Sequence, residues 1–160
     1  MRTNLQKRIL CLLTVAALAL SPVLASAQGK PEPSLYKRVG GYDAIASVVD
    51  DFVPRLGNDP QLGKFFTGHS IETKKRIRQL VVNLICEASG GPCFYTGRPM
   101  KTAHLGLGIT EAEWQIAIKH LNATLDKFKM HEKEKKELIA IATGLKGDII
   151  TPTEGTGMNK

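Results

Sequence analysis

The sequence predicts an all-α domain. Three observations carry that prediction. Apolar residues recur at spacings of three and four in several separate stretches, residues suited to helix N-caps stand before two of them, and nowhere do apolar and polar residues alternate long enough to suggest a sheet. Four substantial helices with short extra turns follow from this pattern.

Ahead of the helices, the chain carries the basic pair Lys7-Arg8, an apolar run over residues 9–20, Ser21-Pro22 and the small-residue ending Ala25-Ser26-Ala27. These are the three regions of a secretory signal peptide, with cleavage expected after Ala27. The competing reading is a membrane anchor, but the run is short against the ~20 residues that a spanning helix needs, and a proline follows it. No membrane attachment is expected after signal cleavage. Loss of residues 1–27 removes Arg2, Lys7 and Arg8 and no acid, so the formal charge falls from +7 to +4. The remaining bases are interleaved with acids, as over residues 127–137, a solvated pattern that argues against nucleic acid as a partner. Residues 28–34 are expected to form a flexible leader, residues 35–150 one domain, and residues 151–160, rich in Gly and Thr, a disordered tail.

The first long helix starts near Tyr42-Asp43 and carries Ile45, Val48, Val49, Phe52, Val53 and Leu56 as one stripe. Pro54 lies inside the stripe and deletes a backbone hydrogen bond, so a kink or an early end near Gly57 is expected. The second helix follows Ser70 as N-cap, with Ile77, Leu80, Val81, Leu84 and Ile85 as its core face. A second row on it, Lys75, Gln79, Val82 and Cys86, mixes charged, amide and apolar groups, as does a helix bordering a pocket or an ordinary helix flank. Residues 91–108 hold four glycines and two prolines and predict a loop with one short helix around Met100 to His104. Thr110-Glu111-Ala112-Glu113 is a capping box, followed at helical spacing by Trp114, Ala117, Ile118, Leu121, Leu125 and Phe128. The last helix carries Leu138, Ile141, Ala142, Leu145 and Ile149, with Gly144 and Gly147 as weak points.

Cys11 leaves with the signal, while Cys86 and Cys93 enter an oxidising compartment. A disulfide between them is expected, because Gly90-Gly91-Pro92 lets the chain turn back after a helix; two independent buried thiols are the alternative. Of the four histidines, His131 lies in a charged run, His120 beside an apolar stripe and His69 in a polar loop. His104 is different: it ends a short turn between Met100-Ala103 and the apolar, glycine-containing Leu105 to Ile109 segment, where backbone is free to approach a flat ligand closely. Spacing alone leaves it as either a core histidine or a ligand. No serine elbow, phosphate loop, zinc motif or Cys-x-x-Cys pair competes with it.

Several motifs occur together in order: Leu35-Tyr36-Lys37-Arg38-Val39-Gly40-Gly41, Phe65-Phe66-Thr67-Gly68, Gly90-Gly91-Pro92 with Tyr95-Thr96-Gly97, Met100-Lys101-Thr102-Ala103-His104, and Gly108-Ile109-Thr110. In these the chain resembles the group 1 truncated haemoglobins, over about residues 35–150. The resemblance implies a truncated globin fold, a two-over-two helical sandwich around haem b, with His104 as the protein ligand to the iron. It further implies Phe66 against the porphyrin face, Met100 and Ile109 at the haem edge, Tyr95 near the propionates, and Gln79 as a distal amide beside bound gas. Lys75 would point into the pocket, toward a propionate, or onto iron as a sixth ligand, a role His69 is also placed to take. Trp114 is expected to pack near the pocket.

The distal side departs from the family. Members often place a tyrosine after Asp-Phe on the first long helix; here Asp51-Phe52 is followed by Val53 and Pro54. The resemblance implies a gas-binding protein for dioxygen, nitric oxide or carbon monoxide, and the signal peptide implies that it is periplasmic or secreted. A six-coordinate protein for electron transfer or sensing, with a redox partner protein, and a helical binding module that has lost haem are the alternatives. Nitric oxide dioxygenation would make it an enzyme but demands an electron donor outside the cytosol.

Overall fold

Capping and apolar spacing set the helix boundaries in a computed structural model that describes residues 31–150. The expected signal peptide, the start of the leader and the tail lie outside the described residues. A compact unit begins at Pro33. Ser34 caps the short helix α1 (Leu35–Arg38) by accepting from the Lys37 N–H. Gly40, at a positive φ of 102° that suits glycine, turns the chain into α2 (Gly41–Asn58). A 3-10 turn (Gly63–Phe66) leads to α3 (Ile71–Ala88), where the Ser70 hydroxyl accepts from the Thr73 N–H. The short α4 (Met100–His104) follows Pro99. Both halves of the Thr110–Glu113 capping box are formed at the start of α5 (Glu111–Lys127). The last predicted helix is divided into α6 (Glu132–Gly144) and α7 (Lys146–Ile149), with the break directly after Gly144. Every regular element among the described residues is helical, and none of these helices is long and apolar enough to cross a membrane.

The first long helix continues through Pro54 and ends at Asn58, one residue past the end expected near Gly57. A proline removes one hydrogen bond only, and an Arg55–Asp51 ion pair spans the position while Phe52 and Val53 pack on the core. The two rows on α3 are assigned differently from expectation. Val82 and Cys86 are fully buried in the core, whereas Ile77, Leu80, Val81, Leu84 and Ile85 line a cavity. A helix in a layered fold has two apolar neighbours, and periodicity alone does not say which stripe meets which.

Helix α2 packs on α3 and on α5, α5 on α6, and α6 on α3, which closes a ring of four helices, two over two. Ile45, Val48, Val49, Val82, Cys86, Leu121, Leu125 and Leu138 form the shared core. Polar ties hold its corners. Asp51 on α2 accepts from the buried Thr124 hydroxyl of α5 at 2.9 Å and pairs with Arg55 and Lys127, and these cations hold its carboxyl well below the usual range. Arg38 of α1 pairs with Glu134 and Glu137 of α6.

Cys86 and Cys93 are disulfide-bonded, tying the last turn of α3 to the loop beyond it. The loop returns so closely at Gly91 that a Cβ there would stand 2.4 Å from the Tyr36 ring and 2.7 Å from the Cys86 sulfur. Replacing Cys93 by Ser is expected to lower unfolding free energy by about 2–3 kcal/mol, the typical yield of a short closed loop. Urea unfolding of wild type and variant without reductant measures this, and equal midpoints would show that the tie contributes nothing.

Candidate functional site

Inside the ring lies a cavity of about 400 Å³, within the range of small-molecule sites. Its wall divides by element. From α2 come Ile45, Val48, Phe52 and Leu56, and from α3 the row Ile77, Leu80, Val81, Leu84 and Ile85. Phe65 and Phe66 of the 3-10 turn, Trp114, Ala117 and Ile118 of α5, and Leu138 and Ile141 of α6 add further apolar surface. Tyr95, Met100, Ala103, His104, Leu107 and Ile109 reach the wall from α4 and its flanking loops.

His104 is the half-buried last residue of α4. Its Nδ1 lies 2.9 Å from the Met100 carbonyl oxygen. A carbonyl only accepts, so Nδ1 carries the proton and donates, which leaves the Nε2 lone pair available. That second hydrogen bond is what orients a metal-binding imidazole and fixes its tautomer. Tyr95 is held by its hydroxyl, which donates to the Arg98 carbonyl at 2.8 Å, and by its own N–H, which donates to Glu87 at 3.1 Å. Burial pushes its phenol pKa up, so the hydroxyl stays protonated. Gly97 makes room for that ring: a Cβ there would stand 2.3 Å from it.

Of the residues the sequence singled out, Phe66, Tyr95, Met100, His104 and Ile109 meet on this one wall. Lys75 and Gln79 stand off it. The Lys75 ammonium donates to Glu72 at 3.0 Å on an exposed face. The Gln79 amide donates to the Tyr42 hydroxyl at 2.9 Å and to Asn83 at 2.8 Å. Both lie on the row adjoining Val82 and Cys86, which the disulfide and the core hold away from the cavity. His69 is on the wall and exposed, hence at its rim. His120 instead pairs with Asp59 at 2.8 Å, and His131 is exposed at the start of α6.

One wall residue went unremarked for its place at the site. Glu113 is buried, lies on the cavity wall, pairs with Lys64 and accepts from the Thr110 N–H and hydroxyl at 2.8 and 2.9 Å. It thereby links the 3-10 turn that carries Phe66 to the start of α5. The capping box located its carboxylate in the sequence, but nothing there announced Lys64.

A histidine with a fixed tautomer on an apolar cavity wall inside a two-over-two helical ring defines a globin of the short kind. The chain matches the bacterial-like globin family over residues 34–151. It is 35% identical over 127 residues to the group 1 truncated hemoglobin GlbN of Mycolicibacterium paratuberculosis, covering 79% of this chain and 91% of that one. The structure of THB1 from Chlamydomonas reinhardtii is similar at a TM-score of 0.63 with 28% identity, covering 76% of this chain and 100% of that one. Truncated hemoglobin from Tetrahymena pyriformis matches in fold at a TM-score of 0.68 with 21% identity, covering 74% and 98% of the two chains. The chain belongs to the bacterial-like globin family, as a group 1 truncated globin.

The Lys64 ammonium and the Thr110 donors hold the Glu113 carboxyl at about 2, below its ordinary 4.5. A depressed carboxylate stabilises the fold above its unfolded pKa and loses that contribution as pH falls through the folded one. Wild-type stability should therefore fall between pH 4.5 and about 2 more steeply than that of Glu113→Gln, which lacks this titration. Urea midpoints across that window test it, and parallel curves would remove Glu113 from the account.

Proposed function

We propose that this chain is an exported haem protein that reversibly binds a diatomic gas, with haem b held through His104 Nε2. The observation that carries the reading is the His104 imidazole on an apolar wall with its Nδ1 proton committed to the Met100 carbonyl. When bound, haem supplies an iron position open to dioxygen, nitric oxide or carbon monoxide. The chain's residues supply the rest. His104 gives the axial nitrogen, Phe66, Met100 and Ile109 give apolar contact along a flat ligand, and Tyr95 stands where a polar edge would emerge. Names of relatives support the cofactor, since the Mycolicibacterium paratuberculosis and Tetrahymena pyriformis proteins are called hemoglobins. Export rests on the arrangement of residues 1–27 and places the mature chain, from Gln28, in the periplasm or outside the cell. There a surface of net charge +4 suits an acidic redox partner.

A second reading rests on His69, also on the wall. If its imidazole closed the sixth position, the protein would serve electron transfer or sensing. Absorption spectra of the mature chain after haem addition separate the two. A ferrous five-coordinate form that shifts with carbon monoxide is expected; a six-coordinate form before gas is added, lost in His69→Leu, would favour the second. His104→Ala is expected to abolish stoichiometric haem uptake, with partial recovery on adding free imidazole. Unchanged uptake would remove His104 as ligand. N-terminal sequencing of the protein from the periplasm or medium of expressing cells should begin at Gln28, and a retained residue 1 in the cytosol would overturn export.

A further inference from the structure

We infer that the gas side of this cavity holds its ligand without a hydrogen bond and so selects nitric oxide or carbon monoxide over dioxygen; this rests on the haem reading above. The inference comes from an inventory of polar atoms on the wall. The two long helices α2 and α3 contribute only apolar side chains to it, among them Phe52, Ile77, Leu80, Val81 and Leu84. The polar groups on the neighbouring row of α3 are committed elsewhere: Arg78 to Asp50 at 2.7 and 2.8 Å, and Gln79 to Tyr42 and Asn83.

The polar groups that do reach the wall come from other elements. The Tyr95 hydroxyl gives its proton to Arg98, the His104 Nδ1 proton goes to Met100, and Glu113 is an acceptor already paired with Lys64. Two N–H groups remain to be weighed. Trp114 enters from the first turn of α5, four residues after Thr110 closes the His104 loop, on the histidine's own stretch of chain. The His69 imidazole sits exposed at the rim, while its backbone N–H donates to the Phe66 carbonyl at 3.4 Å. Neither belongs to α2 or α3.

The polarity of such a wall sets which gas is held. Of the three gases, dioxygen is the one whose outer atom gains negative charge on binding and so profits from a donor; carbon monoxide and nitric oxide stay nearly neutral. An apolar face such as that of α2 and α3 stabilises the latter pair as well as any other would and leaves dioxygen without its main source of discrimination.

The test uses the mature haem-loaded protein and two gases as probes, dioxygen and carbon monoxide. Equilibrium affinities are measured by titration of the ferrous form, with the C–O stretching frequency as a second readout that reports donors directly. Leu80→Gln and Val81→Gln each place an amide on the α3 wall. At least one is expected to tighten dioxygen roughly five- to tenfold, to leave carbon monoxide within about twofold, and to lower the C–O frequency. His69→Leu and Trp114→Phe are expected to leave the ratio of the two affinities and the C–O frequency unchanged. A roughly tenfold loss of dioxygen affinity in either of these would reveal an existing donor and overturn the inference, as would an unchanged ratio in both glutamine variants with haem uptake and helix content intact. If those two variants fail to fold, Ile77→Gln at the N-terminal start of the same row is read by the same criteria. Failure of the wild type to take up haem would instead sink the function on which the inference rests.

Discussion

A wall of aliphatic and aromatic side chains around about 400 Å³ tends to close on itself, and resistance to that collapse is the constraint on which the rest of the structure depends. At the volume cost found for apolar voids, a space of this size left unfilled would cost on the order of 10 kcal/mol, comparable with the whole stability of an ordinary domain. Two consequences follow. The frame must be fixed by contacts that do not themselves need the cavity filled, and a flat apolar ligand that fills it becomes part of the fold's stability. Ligand binding and folding are then linked through mass action.

The fixing contacts sit outside the wall, at the corners of the helix ring. Isolated surface ion pairs contribute little, so the arrangement matters more than the number. Asp51 gathers Arg55, Lys127 and the buried Thr124 hydroxyl on one carboxylate between α2 and α5. Arg38 spreads one guanidinium over Glu134 and Glu137 and so pins α1 to α6. Glu113 joins the 3-10 turn to α5, and the Cys86–Cys93 bond joins α3 to the loop leading toward His104. At Asp51, Arg38 and Glu113 a partly buried group satisfies several partners, so little of its desolvation is left uncompensated. The cavity keeps an apolar surface because the polar chemistry that secures it is displaced to the periphery.

Much of this was legible in the sequence for identifiable reasons. The helices announced themselves through caps at Ser70 and Thr110 and stripes of fixed period. His104 stood out because an apolar, glycine-containing loop surrounds it. What stayed hidden was rotational setting. On α3, the rows through Ile77, Leu80 and Val81 and through Lys75, Gln79 and Val82 are both partly apolar, and a period of 3.6 says only that each exists. Which one turns to the cavity is decided by partners far away in sequence, Asp50 for Arg78 and Tyr42 for Gln79. The Lys64–Glu113 tie was invisible for the same reason, being a contact between segments that no local pattern connects.

That rotational setting also separates fold from ligand preference. The anchors that orient α3, at Arg78, Gln79 and Cys86, project to its outer and core sides, while the residues presented to the cavity, such as Leu80 and Val81, make no polar contact at all. Exchanging one of the latter changes what a ligand meets without disturbing what holds the helix. Exchanging one of the former removes a contact that helps to set the rotation of the helix. A single globin frame can therefore carry either a polar or an apolar gas site, and in this chain the long-range partners of α3 select the apolar one.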